Sequence, residues 1–288
     1  MEEDLRAAIG KIASERVEAG RLVKCLSLEA TEGLTREIDI TPREVSIFAL
    51  EHGFVPLRYI KNIGTLGPGG QARLLKSRVV VVGAGGIGGH AAELLARMGV
   101  GTVLLVDPDV FDETNLNRQK FATEATLGLN KVDVAGDMLG EINRDVEVVR
   151  HRIAACAENL PDLIAGADVV IDALDSLDDR LTLQQACREQ GVVMIHGAIA
   201  GTFLQVMTVY PGDPGLSQLL TRAIGEEKAR GIETETGNPA TTPALAAAIQ
   251  VQEAIKVITG RGTALRGKML YLDVDDWSVE FIELEEEE

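Results

Sequence analysis

Between Arg78 and Gly88 the chain reads RVVVVGAGGIG, and no other stretch narrows its fold so far. The unbroken apolar run, with no polar alternation, suits a strand buried on both faces of a parallel sheet. The glycines behind it satisfy G-x-G-x-x-G at Gly83, Gly85 and Gly88, between a strand and a helix. In such a loop the first glycine permits the tight turn. The second lets a phosphate approach the backbone, and the third lets the helix pack close on the sheet. Gly86 opens that helix, whose free N–H groups and dipole offer an anion about half a positive charge. Asp107 ends the next apolar run, TVLLVD, where a carboxylate can accept from both ribose hydroxyls. These features leave NAD and ATP equally open as ligands.

Downstream, strand and helix alternate as far as VVMIHGAI, which predicts an α/β fold with a doubly wound, mostly parallel, Rossmann-like sheet. The pair MLYLDV and WSVEFIEL predicts antiparallel strands at the C-terminal edge. Residues 1–57 read as a small helical N-terminal appendage, with Thr41, Pro42 and Glu44 marking one helix start. Residues 58–288 then form the nucleotide-binding domain. Its segment 211–243 lacks clear periodicity and is expected to cross over the sheet. The 288 residues are 45% hydrophobic but only 3% aromatic, so Val, Ile, Leu and Ala must build the core. A net charge of -17 argues against nucleic acid as a general partner, because phosphate neutralisation needs clustered cations. The charged N-terminus and the absence of any run of about twenty apolar residues predict a soluble, cytoplasmic protein without a membrane span.

The stretch TNLNRQ, residues 114–119, bears on the choice of nucleotide. Arg118 leaves the carboxyl end of the second strand, and Lys131 opens the next helix. Two cations at one crevice suit a triphosphate better than a dinucleotide, although both residues could equally be surface charges. DALDSLDDR, residues 172–180, sits where the fourth strand meets its helix, at the end of an open sheet where ligands bind. Asp175 at the loop apex is the candidate for Mg2+, which commonly takes one or two carboxylates plus phosphate oxygens. Asp172 reads as the end of its strand. Among the histidines His196 is the weakest catalytic candidate, His90 suits a cap or the surface, and His52 and His151 read as structural. Cys187 reads as a packed apolar residue within a helix.

GAGGIG, VDPDVFDETNLNRQ, GLNKVD and DALDSLDDR, in this order, resemble the ThiF/MoeB/HesA family, relatives of ubiquitin-activating enzymes. The resemblance runs from about residue 57 to about residue 284. It implies an ATP- and Mg2+-dependent adenylyltransferase that activates a carboxylate and releases pyrophosphate. The commonest such carboxylate is the C-terminal glycine of a ubiquitin-like sulfur-carrier protein ending in diglycine. Carried over by residue, Gly86 and Asp107 would contact the nucleotide, Asn115, Arg118 and Lys131 would hold phosphates, and Asp175 would serve the metal. Gln119 belongs to the same motif, and Ser176 stands where Asn is common. LRYIKN resembles the segment that reaches across a homodimer to the neighbour's ATP, with Lys61 where Arg is usual. Two departures stand out. The zinc-binding CxxC pairs of many relatives are missing, so no zinc is expected. ETETGNPATTP also lacks the cysteine that some relatives use covalently. A modified-tRNA carboxylate, a non-catalytic partner subunit and an NAD-dependent oxidoreductase remain as alternatives.

Overall fold

A computed structural model describes residues 2–18, 20–216 and 236–284. Most of the crossover segment 211–243 and the terminal acids 285–288 lie outside the described residues. The N-terminal appendage is not purely helical. Helix α1 (Glu2–Ile12) is followed by strands β1 (Ser14–Glu18) and β2 (Arg21–Leu26). Then come α2 (Leu28–Glu37), α3 (Pro42–Glu51) and β3 (Phe54–Pro56), and the strands pair in the order β1-β2-β3. The charged run 14–24 looks helical by composition. Gly20 breaks it at φ 75°, and the antiparallel register sets Glu15 opposite Lys24 and Glu18 opposite Arg21. Opposite charges directly across a ladder favour that register.

The appendage has its own small core of Ile9, Leu26, Leu34, Val45, Ala49 and Phe54. It is bolted to the main domain by polar groups. Arg43 donates to Gly101 O at 2.5 Å, and Ser46 Oγ donates at 2.8 Å to buried Asp145, which also accepts from Tyr59 Oη (3.0 Å) within the main domain. Burial pushes the Asp145 carboxyl above its ordinary range, while these bonds and Arg58 oppose the rise. Helix α3 starts as the sequence predicts. Thr41 Oγ1 accepts from Glu44 N at 3.2 Å, and Glu44 accepts from Thr41 N at 2.7 Å. Thr41→Ala should therefore cost about 1 kcal/mol in a denaturant titration, with nucleotide affinity unchanged.

Helix α4 (Ile60–Lys76), bent at Gly67 ahead of Pro68, leads into the main sheet. Its parallel strands are β4 (Arg78–Val82), β5 (Thr102–Val106), β6 (Glu147–His151), β7 (Val169–Asp172) and β8 (Val193–Ala200). Antiparallel β9 (Phe203–Val209), β10 (Lys268–Asp273) and β11 (Ser278–Glu283) extend it, giving the order β11-β10-β9-β8-β7-β4-β5-β6. Val79 and Val81 of β4 face one core with helices α5 (Gly86–Met98) and α6 (Lys131–Ile142). Val80 and Val82 face the opposite core with α7 (Leu160–Ile164) and α8 (Leu177–Gln190). Helix α9 (Thr241–Thr259) joins the first core through Ala246, Ala247, Val251 and Ala254. The period-2 alternation of a strand thus sorts one valine run into two cores. The chain runs outward from β4 through β5 to β6, then returns to place β7 on β4's other side. That reversal opens a crevice at the carboxyl ends of β4 and β7, where open α/β sheets bind ligands.

Candidate active site at the strand switch point

The glycine loop closes this crevice from one side. Gly83 has φ 96°, and a Cβ there would lie 2.5 Å from Ala173 O, so the loop after β7 is packed directly on it. A Cβ at Gly88 would meet Gly83 O at 1.8 Å. The turn and the α5 N-terminus therefore interlock without side chains. By contrast, a Cβ at Gly85 would touch only Gln119, at 3.6 Å, and one at Gly86 would face Pro243 (3.3 Å) and the Arg118 stem (3.7 Å). The fold thus gathers Arg118 and Gln119, 30 or more residues downstream, over the N-terminus of α5.

Behind the loop, Asp107 is 6% exposed and accepts from Ala84 N at 2.7 Å and Asp109 N at 2.9 Å. Lys131, also 6% exposed, donates to Asp109 at 2.8 Å and lies 4.0 Å from Asp107. A buried ammonium facing two carboxylates is a structured charge, which removes the surface-charge reading for Lys131. Asp109 was not singled out in the sequence. Its signal is the DPD pair, two acids set just past the end of β5.

Arg118 is half-buried and donates to Thr114 O (2.8 Å) and Asn117 Oδ1 (2.9 Å), both uncharged. Among the described residues no carboxylate pairs with it, so an incoming phosphate competes only with neutral acceptors. Gln119 is 8% exposed, and its Oε1 is buried without a partner beside the glycine loop. An orphaned acceptor of that kind suits a donor on a ligand. Asn115 is buried, and its Oδ1 accepts from Asp112 N at 3.1 Å. Its carbonyl side thus shapes the loop.

On the far wall, Asp175 is exposed at the apex of the loop after β7. Ser176, expected beside the nucleotide, instead caps α8, with Oγ accepting from Asp179 N at 3.2 Å. Lys61 lies apart from these groups on the exposed start of α4 and pairs with Glu18 at 2.7 Å. His196 is fully buried and bonds Asp172, so it has no access to the crevice. His90 lies near the crevice rim, where burial and Lys120 lower its pKa. Burial pushes the Cys187 thiol up to about 12, which leaves it an inert packing group.

The donor set fits a nucleotide with a hard cation. The Arg118 stem lies beside Gly86 at the α5 N-terminus, Lys131 stands 4.0 Å from Asp107 behind the glycine loop, and Asp175 is exposed on the loop after β7. Among the described residues no cluster of three or more His, Cys, Asp or Glu could hold a metal by itself. Asp175 could supply one of the one or two carboxylates that Mg2+ takes when phosphate oxygens complete its shell. No described helix is long and apolar enough to cross a membrane.

A family model described as "ThiF family" matches residues 58–288. The SAMP-activating enzyme E1 of Haloferax volcanii is 37% identical over 78% of this chain and 84% of its own length. The sulfur carrier protein ThiS adenylyltransferase of Bacillus subtilis is 34% identical, over 68% of this chain and 58% of its own. The adenylyltransferase and sulfurtransferase MOCS3 of Aedes aegypti is 34% identical over 75% of this chain, which spans 50% of that longer protein. Among solved structures, Escherichia coli MccB bound to ATP superposes with a TM-score of 0.68 at 21% identity, covering 79% of this chain and 71% of its own. PaaA gives 0.64 at 23% identity, over 98% of this chain and 81% of its own. At such identities the structural likeness speaks for the fold.

Proposed function

Because this chain belongs to the ThiF family, we propose that it uses ATP to adenylate a carboxylate, the C-terminal glycine of a ubiquitin-like sulfur-carrier protein. The observation that carries this reading is the convergence of Arg118, Lys131 and the glycine loop on one crevice. Two cations and a helix N-terminus match the charge of a triphosphate, and an NAD-dependent oxidoreductase would leave both cations idle. The relatives named as adenylyltransferases support the same chemistry.

In this reading a carboxylate oxygen attacks the α-phosphorus, the bond to the β-phosphate bridging oxygen breaks, and pyrophosphate leaves. No general base is required, since a C-terminal carboxyl, with a pKa of about 3.5, is already ionised at neutral pH. Asp107 holds the ribose hydroxyls. Arg118 turns from Thr114 O to the phosphates, and Lys131 supports the charge that builds on the leaving group. Such fixed charges and the alignment of the attacking oxygen carry most of the acceleration. Mg2+, when bound at Asp175, would neutralise phosphate oxygens. Lys61 of a second copy would complete the site in a homodimer.

Pyrophosphate exchange into ATP tests the proposal, with diglycine-tailed carriers as substrates. Exchange that depends on the carrier's terminal carboxylate supports it. Binding of NAD in preference to Mg-ATP would overturn it, and exchange with modified tRNA alone would redirect it. Arg118→Ala should raise KM for ATP by about 10- to 100-fold, because a charge-assisted bidentate contact is lost. The protein's melting temperature should not move, as the bonds Arg118 donates among the described residues go to two neutral acceptors.

A further inference from the structure

Beneath the loop that carries Asp175 lies a buried charged cluster to which the adenylation chemistry assigns no task. Asp172, the last residue of β7, is 0% exposed. One of its oxygens accepts from Leu174 N at 3.1 Å, and the other meets His196 Nδ1 at 2.7 Å. Burial holds the His196 pKa below its ordinary value, so the ring is neutral near pH 7. A neutral ring facing a carboxylate carries its proton on Nδ1, leaving Nε2 to accept from Gln205 Nε2 at 3.2 Å. The Arg180 guanidinium stands 3.9 Å from Asp172 and supplies the compensating charge. Its Nε and Nη2 are both spent on Leu174 O, at 3.1 and 2.5 Å. The Leu174 backbone is therefore held through both flanking peptide units, one by its N–H and the next by its C=O.

A strand end does not require a charge there. Burying a carboxylate is costly even when paired, and an apolar residue would terminate β7 as well. The cluster is also wired outward. Gln250 of α9 donates to Asp172 O (2.8 Å) and Ile195 O (3.0 Å), tying together the ends of β7 and β8. Ala173, between the two anchored residues, packs against Gly83 of the glycine loop.

We propose that Asp172, His196 and Arg180 are positioning residues that clamp the Leu174 backbone and so aim the adjacent Asp175 carboxylate into the crevice. His196 acts through Asp172 and touches neither nucleotide nor substrate. The inference rests on the assignment of Asp175 to the metal in the proposed adenylation. Supporting groups behind a metal carboxylate commonly change affinity or activity by about 10- to 100-fold when removed.

The test uses His196→Leu and His196→Asn in the full-length protein. Asn keeps a donor where Nδ1 stood, and Leu does not. In His196→Leu, exchange of the Leu174 amide with deuterium, followed by NMR, should quicken by about tenfold or more while the Val170 and Ile171 amides keep their rates. The gain in ATP affinity on adding Mg2+ should shrink, and kcat for pyrophosphate exchange should fall about thirtyfold with KM for ATP within threefold. His196→Asn should recover most of each change. An unaltered Leu174 amide, or equal losses in the two variants, would overturn the clamp. If His196→Leu fails to fold, Arg180→Met, which removes only the carbonyl side, must give the same split between kcat and KM. Should the wild-type protein show no exchange with any carboxylate, the adenylation reading fails, and the amide rates still decide the clamp.

Discussion

Asp175→Ala is expected to lower carrier-dependent pyrophosphate exchange by about a thousandfold or more, the scale on which a single group opposing transition-state charge acts. Its thermal unfolding should stay within about 0.5 kcal/mol of the wild type. The two halves of this expectation come from different observations. Asp175 is exposed at a loop apex and makes no packing contribution to either core, so the fold does not depend on it. The loop beneath it, by contrast, is held by Asp172, Arg180 and the Gly83 contact. In the proposed adenylation, the carboxylate displayed on that loop serves the metal and not the protein's own stability. Exchange assayed at saturating ATP and Mg2+, with circular-dichroism melting in parallel, measures both halves. Retention of a tenth of the wild-type rate would remove Asp175 from the mechanism.

Gly88→Ala should produce the largest structural effect, a loss of about 3 kcal/mol or more. The added methyl would fall 1.8 Å from Gly83 O and 3.2 Å from Ala173 Cβ. Neither neighbour can yield, because Gly83 is held at φ 96° with its N–H on Val106 O at 2.8 Å. ATP affinity should fall with stability, since the same shift opens the glycine loop. Gly89, one residue on, is the control. A Cβ there would find its nearest neighbour, the Lys120 Cβ, at 3.4 Å, an ordinary van der Waals distance. Gly89→Ala should be neutral, or stabilise α5 by about 0.5 kcal/mol through helix propensity. Calorimetric melting and an ATP titration of both variants separate close packing from glycine content.

The site was legible where one residue's chemistry matched one position. The glycine loop, Asp107 and the apex carboxylate all follow from spacing relative to strands that the apolar runs locate. Lys131 was legible only as a cation, and its burial against Asp109 needed the fold to bring the two chain segments together. Ser176 has a local task that the sequence also allows, since a serine after a strand suits a helix cap, and its Oγ caps α8. The hairpin at 14–26 escaped for a related reason. Its Glu, Arg and Lys residues carry helix propensity, and only cross-strand pairing reveals the period-2 register. His196 suggests a catalytic group because the apolar run VVMI before it reads as a strand ending at the crevice, whereas β8 continues through it to Ala200. Full burial against Asp172 turns it into support.

The sequence by itself determined the local devices, namely a valine strand, a glycine turn, a capped helix and an acid at the second strand's end. Each of these depends on neighbours within a few residues, so period and spacing suffice to read it. Only the tertiary structure decided how Arg118 comes to overhang Gly86, why Lys131 is buried, and what secures the loop bearing Asp175. Those arrangements arise where β7 returns to the far side of β4, joining segments that share no local pattern. They are stabilised by desolvation and long-range hydrogen bonds, which exist only once the sheet has formed.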